Sequence, residues 1–141
     1  MPFEPDILVT TPDGAELVVD AELALPDLER TEIELKEYMV GMQYPLGLLI
    51  TPERMWLYRD LYTSRSSESV QRIGEFNIKP AWQQPPPLQE TAFETFVQYW
   101  LEYLPNQPIQ NLPNDLRQAL REYIVPAVKN AEVRAAHPRY A

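Results

Sequence analysis

Two short apolar runs, Ile7 to Thr11 and Leu17 to Leu25, flank the turn residues Thr11-Pro12-Asp13-Gly14. That pattern predicts a β-hairpin. Leu17, Val19, Ala21, Leu23 and Leu25 alternate into one apolar face and leave Glu16, Asp20 and Glu22 on the other. Pro12-Asp13-Gly14 suits a three-residue loop with Gly14 left-handed, a conformation glycine adopts without strain. In that register Thr11 opposes Ala15 and Asp6 opposes Asp20, so Asp6, Asp20 and Glu22 share one patch. A two-residue turn would slide the pairing by one and carry Asp6 away from Asp20.

A helix follows, starting at Pro26-Asp27 or at Thr31, where Glu34 would complete a capping box. Leu35, Tyr38, Met39 and Met42 recur at helical spacing and are expected to face the sheet, and Pro45 stops the helix. Leu46 to Ile50 reads as a strand buried on both faces, and Met55 to Arg59 as its antiparallel return. Tyr62 to Ser69 is a polar loop, and Val70 to Ile78 a last strand interrupted at Gly74. Pro80, Pro85, Pro86 and Pro87 mark an extended connector, either a stiff spacer or a proline-rich docking ligand. Glu90 to Leu104 predicts a helix whose stripe of Phe93, Phe96, Val97, Trp100, Leu101 and Leu104 is core or a dimer face. Asn114 caps another helix, which Pro126 ends or kinks, and a shorter helical stretch runs to about Ala136. The expected organisation is a core over 1–79, a connector over 80–87 and a helical segment over 88–141 that packs on the core.

Composition narrows the chemistry. A chain of 141 residues is long enough for one real core. It holds no run of eighteen apolar residues and no charged-then-apolar leader, so a soluble, cytoplasmic protein without membrane contact is expected. Zero cysteines exclude disulfides, thiol catalysis and cysteine zinc sites. The single histidine, His137, cannot build a multi-histidine site and is expected in a frayed tail. Residues 1–37 carry eleven acids against Arg30 and Lys36, so the whole net charge of −9 lies there. This is not the footprint of a strong nucleic-acid binder, which weakens nucleic acid as a partner on charge grounds.

Three acids converging on one patch of sheet is unfavourable unless something positive joins them. A divalent cation would turn that repulsion into attraction. The bland alternative is a wet sheet face on which Glu16, Asp20 and Glu22 simply meet solvent.

Pro5-Asp6, a hairpin turn, and the tripeptide Asp20-Ala21-Glu22 on the next strand together resemble the PD-(D/E)XK nuclease superfamily. The apolar residues around both acids fit, and Glu34-Leu35-Lys36-Glu37-Tyr38 is similar to a QxxxY helix motif of that superfamily, with glutamate first. Tyr38 to Arg59 resembles the amino-terminal nuclease domains of type I restriction subunits. The resemblance covers about residues 4–60. It implies an α+β or α/β fold, a restriction endonuclease-like mixed sheet flanked by helices, with the carboxyl-terminal helices added. The implied activity is Mg2+-dependent (or Mn2+-dependent) hydrolysis of phosphodiester bonds, with DNA binding. Asp6, Asp20 and the Ala21 carbonyl would hold the metal.

Glu22 stands where the family has lysine. Three outcomes are open: Glu22 adds a ligand or base, Lys36 reaches in from the following helix, or the site is dead. For Lys36 the alternative is a surface pair with Glu32. The family also places a helix and a strand before the Pro-Asp strand, where this chain has Met1 to Glu4; the helices at 90–104 and 114–125 are the candidates to cover the sheet instead. Arg54, Arg59, Arg65 and Arg72 are candidate phosphate contacts. The rival functions are a catalytically inactive relative that binds a protein partner or a second copy, which exposed Trp82 and Trp100 would favour, and an unrelated α+β binding domain.

Overall fold

The computed structural model describes residues 3–139. β1 (Ile7–Thr11) and β2 (Gly14–Ala21) form the hairpin. The turn departs from expectation: Thr11 pairs with Gly14, so Pro12 and Asp13 make a two-residue loop. Gly14 has φ of +141°, which only glycine adopts readily. The pairing nevertheless recovers, because a bulge at Glu16 lets Val9 face Leu17 and Ile7 face Val19. Continued by one residue, that register sets Asp6 against Asp20, and the Asp6 N–H donates to the Val19 carbonyl (2.9 Å).

α1 (Leu28–Met42) begins at Asp27, whose carboxylate accepts the Arg30 N–H at 3.2 Å. The Thr31 start is not used, and Glu34 pairs with Arg30 instead (3.7 Å). Leu35 and Met39 are fully buried, while Met42, expected inward, is 57% exposed. Gln43 closes the helix in the left-handed conformation (φ 61°). β3 (Leu46–Ile50) then runs parallel to β2, which makes β2–α1–β3 a crossover unit. A side chain at Gly47 would meet the Met39 sulfur at 2.5 Å, so glycine here lets α1 press onto the sheet.

β4 (Arg54–Asp60) and β5 (Val70–Asn77) extend the sheet antiparallel, with a bulge beside Gly74 where the interruption was expected. The connector leads into α2 (Glu90–Tyr103), capped by the Gln89 side chain. α3 (Asn114–Ala119) continues through a π turn over Leu120–Ile124 into α4 (Val125–Val128). Pro126 lacks the N–H that an α turn needs, and the helix widens just before it rather than stopping.

The expected helical stretch to Ala136 is instead β6 (Glu132–Ala135), antiparallel to β1. Asn130, left-handed at φ 62°, reverses the chain into it. Pairing with the open edge of β1 outweighs the helix propensity of Ala131 to Ala136. The result is a six-stranded mixed sheet, β5-β4-β3-β2-β1-β6, in an α+β fold.

Both faces are covered. Val18, Leu49, Trp56 and Tyr58 pack beneath α1. Leu17, Val19, Ala21, Leu48, Ile50 and Leu57 pack against Phe93, Val97 and Leu101 of α2 and against Leu116, Leu120 and Ile124 beyond it. Each such fully buried side chain contributes about 1.5–3 kcal/mol, so Phe93, Val97, Leu101 and Leu104 of the α2 stripe are core, while Phe96 and Trp100 are half-buried. Trp82 and Trp100 are half-buried, not exposed, with ring centroids 5.3 Å apart. Among the described residues no helix is long and apolar enough to cross a membrane.

Candidate metal centre

β1 starts and β2 ends at the same lip of the sheet, and the repaired hairpin register brings their acids together there. Asp6 and Asp20 are 6% and 4% exposed, and Glu22, just past β2, is half-buried. One carboxylate oxygen from each of the three lies within 4.8 Å of the other two. At 4% exposure Asp20 is therefore not on a wet face.

Their hydrogen bonding is uneven. Asp6 Oδ2 accepts the buried Ala21 N–H at 2.8 Å. Asp20 Oδ1 is fully buried and finds no hydrogen-bond partner among the described residues. Burial, then the Asp6 carboxylate and the charge of Glu22, push the Asp20 carboxyl up to about 10. Burial and the neighbouring Glu90 push Glu22 up to about 8. Two carboxylates whose oxygens lie within 4.8 Å repel by at least about 3 kcal/mol at an effective dielectric near 20, which favours protons on the free site over charge.

Three further side chains reach this lip from distant sequence. Glu94 of α2 is 7% exposed, and burial followed by the charge of Asp6 raises its carboxyl. His137 stands with Nε2 3.4 Å from Asp6 Oδ1, so it is docked on the site and not in a frayed tail. A hydrogen bond with the Pro138 carbonyl, and then Asp6, raise its imidazole above the usual value. Arg139 donates to Glu94 (3.3 Å), to Gln98 (2.6 Å) and to the Asp6 carbonyl (3.4 Å). Sequence reasoning missed all three: only β6 pairing with β1 carries His137 and Arg139 to Asp6, and only the packing of α2 on the sheet brings Glu94. The one available signal was that the single histidine and an arginine lie two residues apart in that tail.

Lys36 is not brought to the acids. Its ammonium lies 3.9 Å from Glu32 and 6.0 Å from the centre of the Tyr58 ring. Of the candidate phosphate-binding arginines, Arg72 pairs with Glu32 (2.7 Å), Arg54 with Glu75 (3.8 Å), and Arg59 lies over Tyr123. Arg65 is exposed on the β4–β5 loop.

The donor set fits a hard divalent cation. It consists of carboxylate oxygens with spare lone pairs, at least one of them buried and unpartnered. Comparison with protein-family models, with curated proteins and with solved structures returns no match for this chain.

Proposed function

We propose that the chain is a divalent-cation-dependent nuclease of restriction endonuclease-like type, with Asp6, Asp20 and Glu22 as ligands of Mg2+ or Mn2+. The observation that carries this reading is the buried Asp20 carboxylate, whose Oδ1 has no hydrogen-bond partner among the described residues and which offers an oxygen within 4.8 Å of ligand atoms of Asp6 and Glu22. A buried carboxylate without a partner costs several kcal/mol unless it is neutralised by a proton or a cation. When bound, the cation would polarise a phosphodiester and acidify the attacking water. The Ala21 N–H fixes the Asp6 carboxylate, so one ligand is oriented before any metal arrives. Glu22 is more open than Asp20 and is the better placed of the two to exchange a proton with solvent. A DNA or RNA strand would approach an acidic lip, and the cation would supply the attraction that this surface lacks. The cysteine-free composition accords with a cytoplasmic setting.

A specific observation favours a second reading, a catalytically inactive relative acting as a protein-interaction module. Lys36 is committed to Glu32, and no lysine acts on Asp20 or Glu22 among the described residues. A cleft of about 480 Å³ lined by Trp82, Phe96, Tyr99, Trp100 and Tyr103 would then be the working surface. Incubation with single- and double-stranded DNA and RNA in Mg2+ or Mn2+ separates the two. Cleavage that disappears in Asp20→Asn supports the nuclease. Cation binding without cleavage of any of these supports the inactive relative.

A further inference from the structure

We propose that residues 85–88 of one chain dock in the aromatic cleft of a second copy, and reciprocally, so that two chains associate about a two-fold axis. The cleft encloses about 480 Å³ and has Trp82, Phe96, Tyr99, Trp100 and Tyr103 on its walls. Trp82 meets Phe96 and Trp100 edge-on, with ring centroids 5.2 and 5.3 Å away. No charged side chain lines the cleft. The two stretches that line it beside α2 belong to segments 80–89 and 103–114, which carry no charge in a chain of net charge −9. Two such chains repel through their acidic residues 1–37 and meet without that cost at a neutral patch. Three large apolar side chains stay exposed at this patch: Leu88 (77%), Tyr99 (55%) and Tyr103 (59%). Tyr99 and Tyr103 stand one helical turn apart on the same face of α2.

The occupant follows from its chemistry and its place. Pro85, Pro86 and Pro87 form no helix, strand or turn. Such a run is already extended, its rings lose no rotamer freedom on binding, and its nitrogens carry no N–H to strand. Aromatic-lined grooves take proline segments for these reasons. The segment is held out at both ends. Trp82 Nε1 donates to the Pro52 carbonyl at 2.8 Å, and the Gln83 amide donates to Gln107 across the cleft. On the other side the Gln89 side chain caps α2. Pro85 and Leu88 lie between these anchors and are exposed, so little ordering is left to be done on docking. Within one chain Pro85 and Pro86 lie at a neighbouring hollow with Leu23 and Pro52, not in the aromatic cleft. Gln83 and Gln84 line both hollows. Segment and cleft thus share one rim, and a two-fold axis there seats both segments at once, as a closed isologous dimer requires.

The test is sedimentation equilibrium of the full chain over a wide range of concentration, where a monomer–dimer equilibrium is expected. Tyr99→Glu places a charge in the cleft, and Pro85→Ser with Leu88→Ser spoils the segment. Each variant should weaken association roughly tenfold or more. All three positions are exposed, and circular dichroism matching the wild type shows that the variants fold. Mixing the two variants pairs one intact segment with one intact cleft, and should restore association that neither has alone. A peptide of residues 83–90, which contains no tryptophan, should dissociate the wild-type dimer and shift the tryptophan fluorescence of the chain. A dimer indifferent to both variants overturns the proposal. So does a chain that stays monomeric; if that monomer binds oligoproline, the occupant of the cleft is another protein. No divalent cation enters these experiments, so self-association and the cation site stand or fall separately.

Discussion

Two carboxylates in this molecule live in opposite environments. Glu32 of α1 accepts the Tyr58 hydroxyl at 2.6 Å and two nitrogens of Arg72 at 2.8 and 2.7 Å, with Lys36 close by. Burial works to raise its carboxyl, but Tyr58, Arg72 and Lys36 together hold it below the ordinary value. Asp20 is more deeply buried, and its neighbours are Asp6 and Glu22, so everything that acts on it raises it. Glu32 is a completed structural pair. Asp20 is unfinished, which fits a group waiting for a cation.

The largest way to break the contrast is Glu32→Ala. It strands the buried Tyr58 hydroxyl and the Arg72 guanidinium, and should destabilise the fold by about 2–3 kcal/mol in urea unfolding. The same kind of change at Asp20 should do the reverse. Asp20→Asn removes the cost of holding a proton on a buried acid that the unfolded chain would release, and is expected to add about 1–2 kcal/mol to the metal-free protein near pH 8 while abolishing its response to cations. A smaller effect sharpens the same point through pH. Asp20 and Glu22 titrate near 3.8 and 4.5 when unfolded and near 10 and 8 when folded. Between those values the folded state binds more protons, so metal-free stability falls as pH rises. Glu32 has the opposite sign: its contribution is present above 4.5 and lost as pH falls through its lowered value. Thermal unfolding of the metal-free chain from about pH 5 to about pH 9 should slope downward, and Asp20→Asn should flatten it. The smallest effect is at Lys36. Its exchange for methionine should change stability by less than about 1 kcal/mol and leave cation binding unaltered.

How much of this was legible depends on how far apart the interacting residues lie. Asp27 as helix start, the α2 stripe and the strands through Asn77 follow from local pattern. The meeting of Asp6 with Asp20 was foreseen from a three-residue loop. The chain reaches it by a two-residue turn plus a bulge at Glu16, two deviations that cancel. The burial of Asp20 was half visible: the continuous apolar run Leu46–Ile50 already announced a sheet covered on both sides. β6 was not visible, because four residues of weak strand character form it only against the edge of β1. His137 and Arg139 were hidden for the same reason, and Glu94 because it reaches residue 6 only through the packing of α2; no spacing in the chain links residue 6 with residues 94, 137 and 139.

The sharpest single measurement is thermal unfolding near pH 8 with Mg2+ or Mn2+ raised from zero to a few millimolar, on the wild type and on Asp20→Asn. If the lip of acids is a cation site, the wild-type melting temperature climbs with cation concentration and the Asn variant, more stable at the outset, does not respond. A wild type that is indifferent to both ions would contradict a metal centre at Asp6, Asp20 and Glu22.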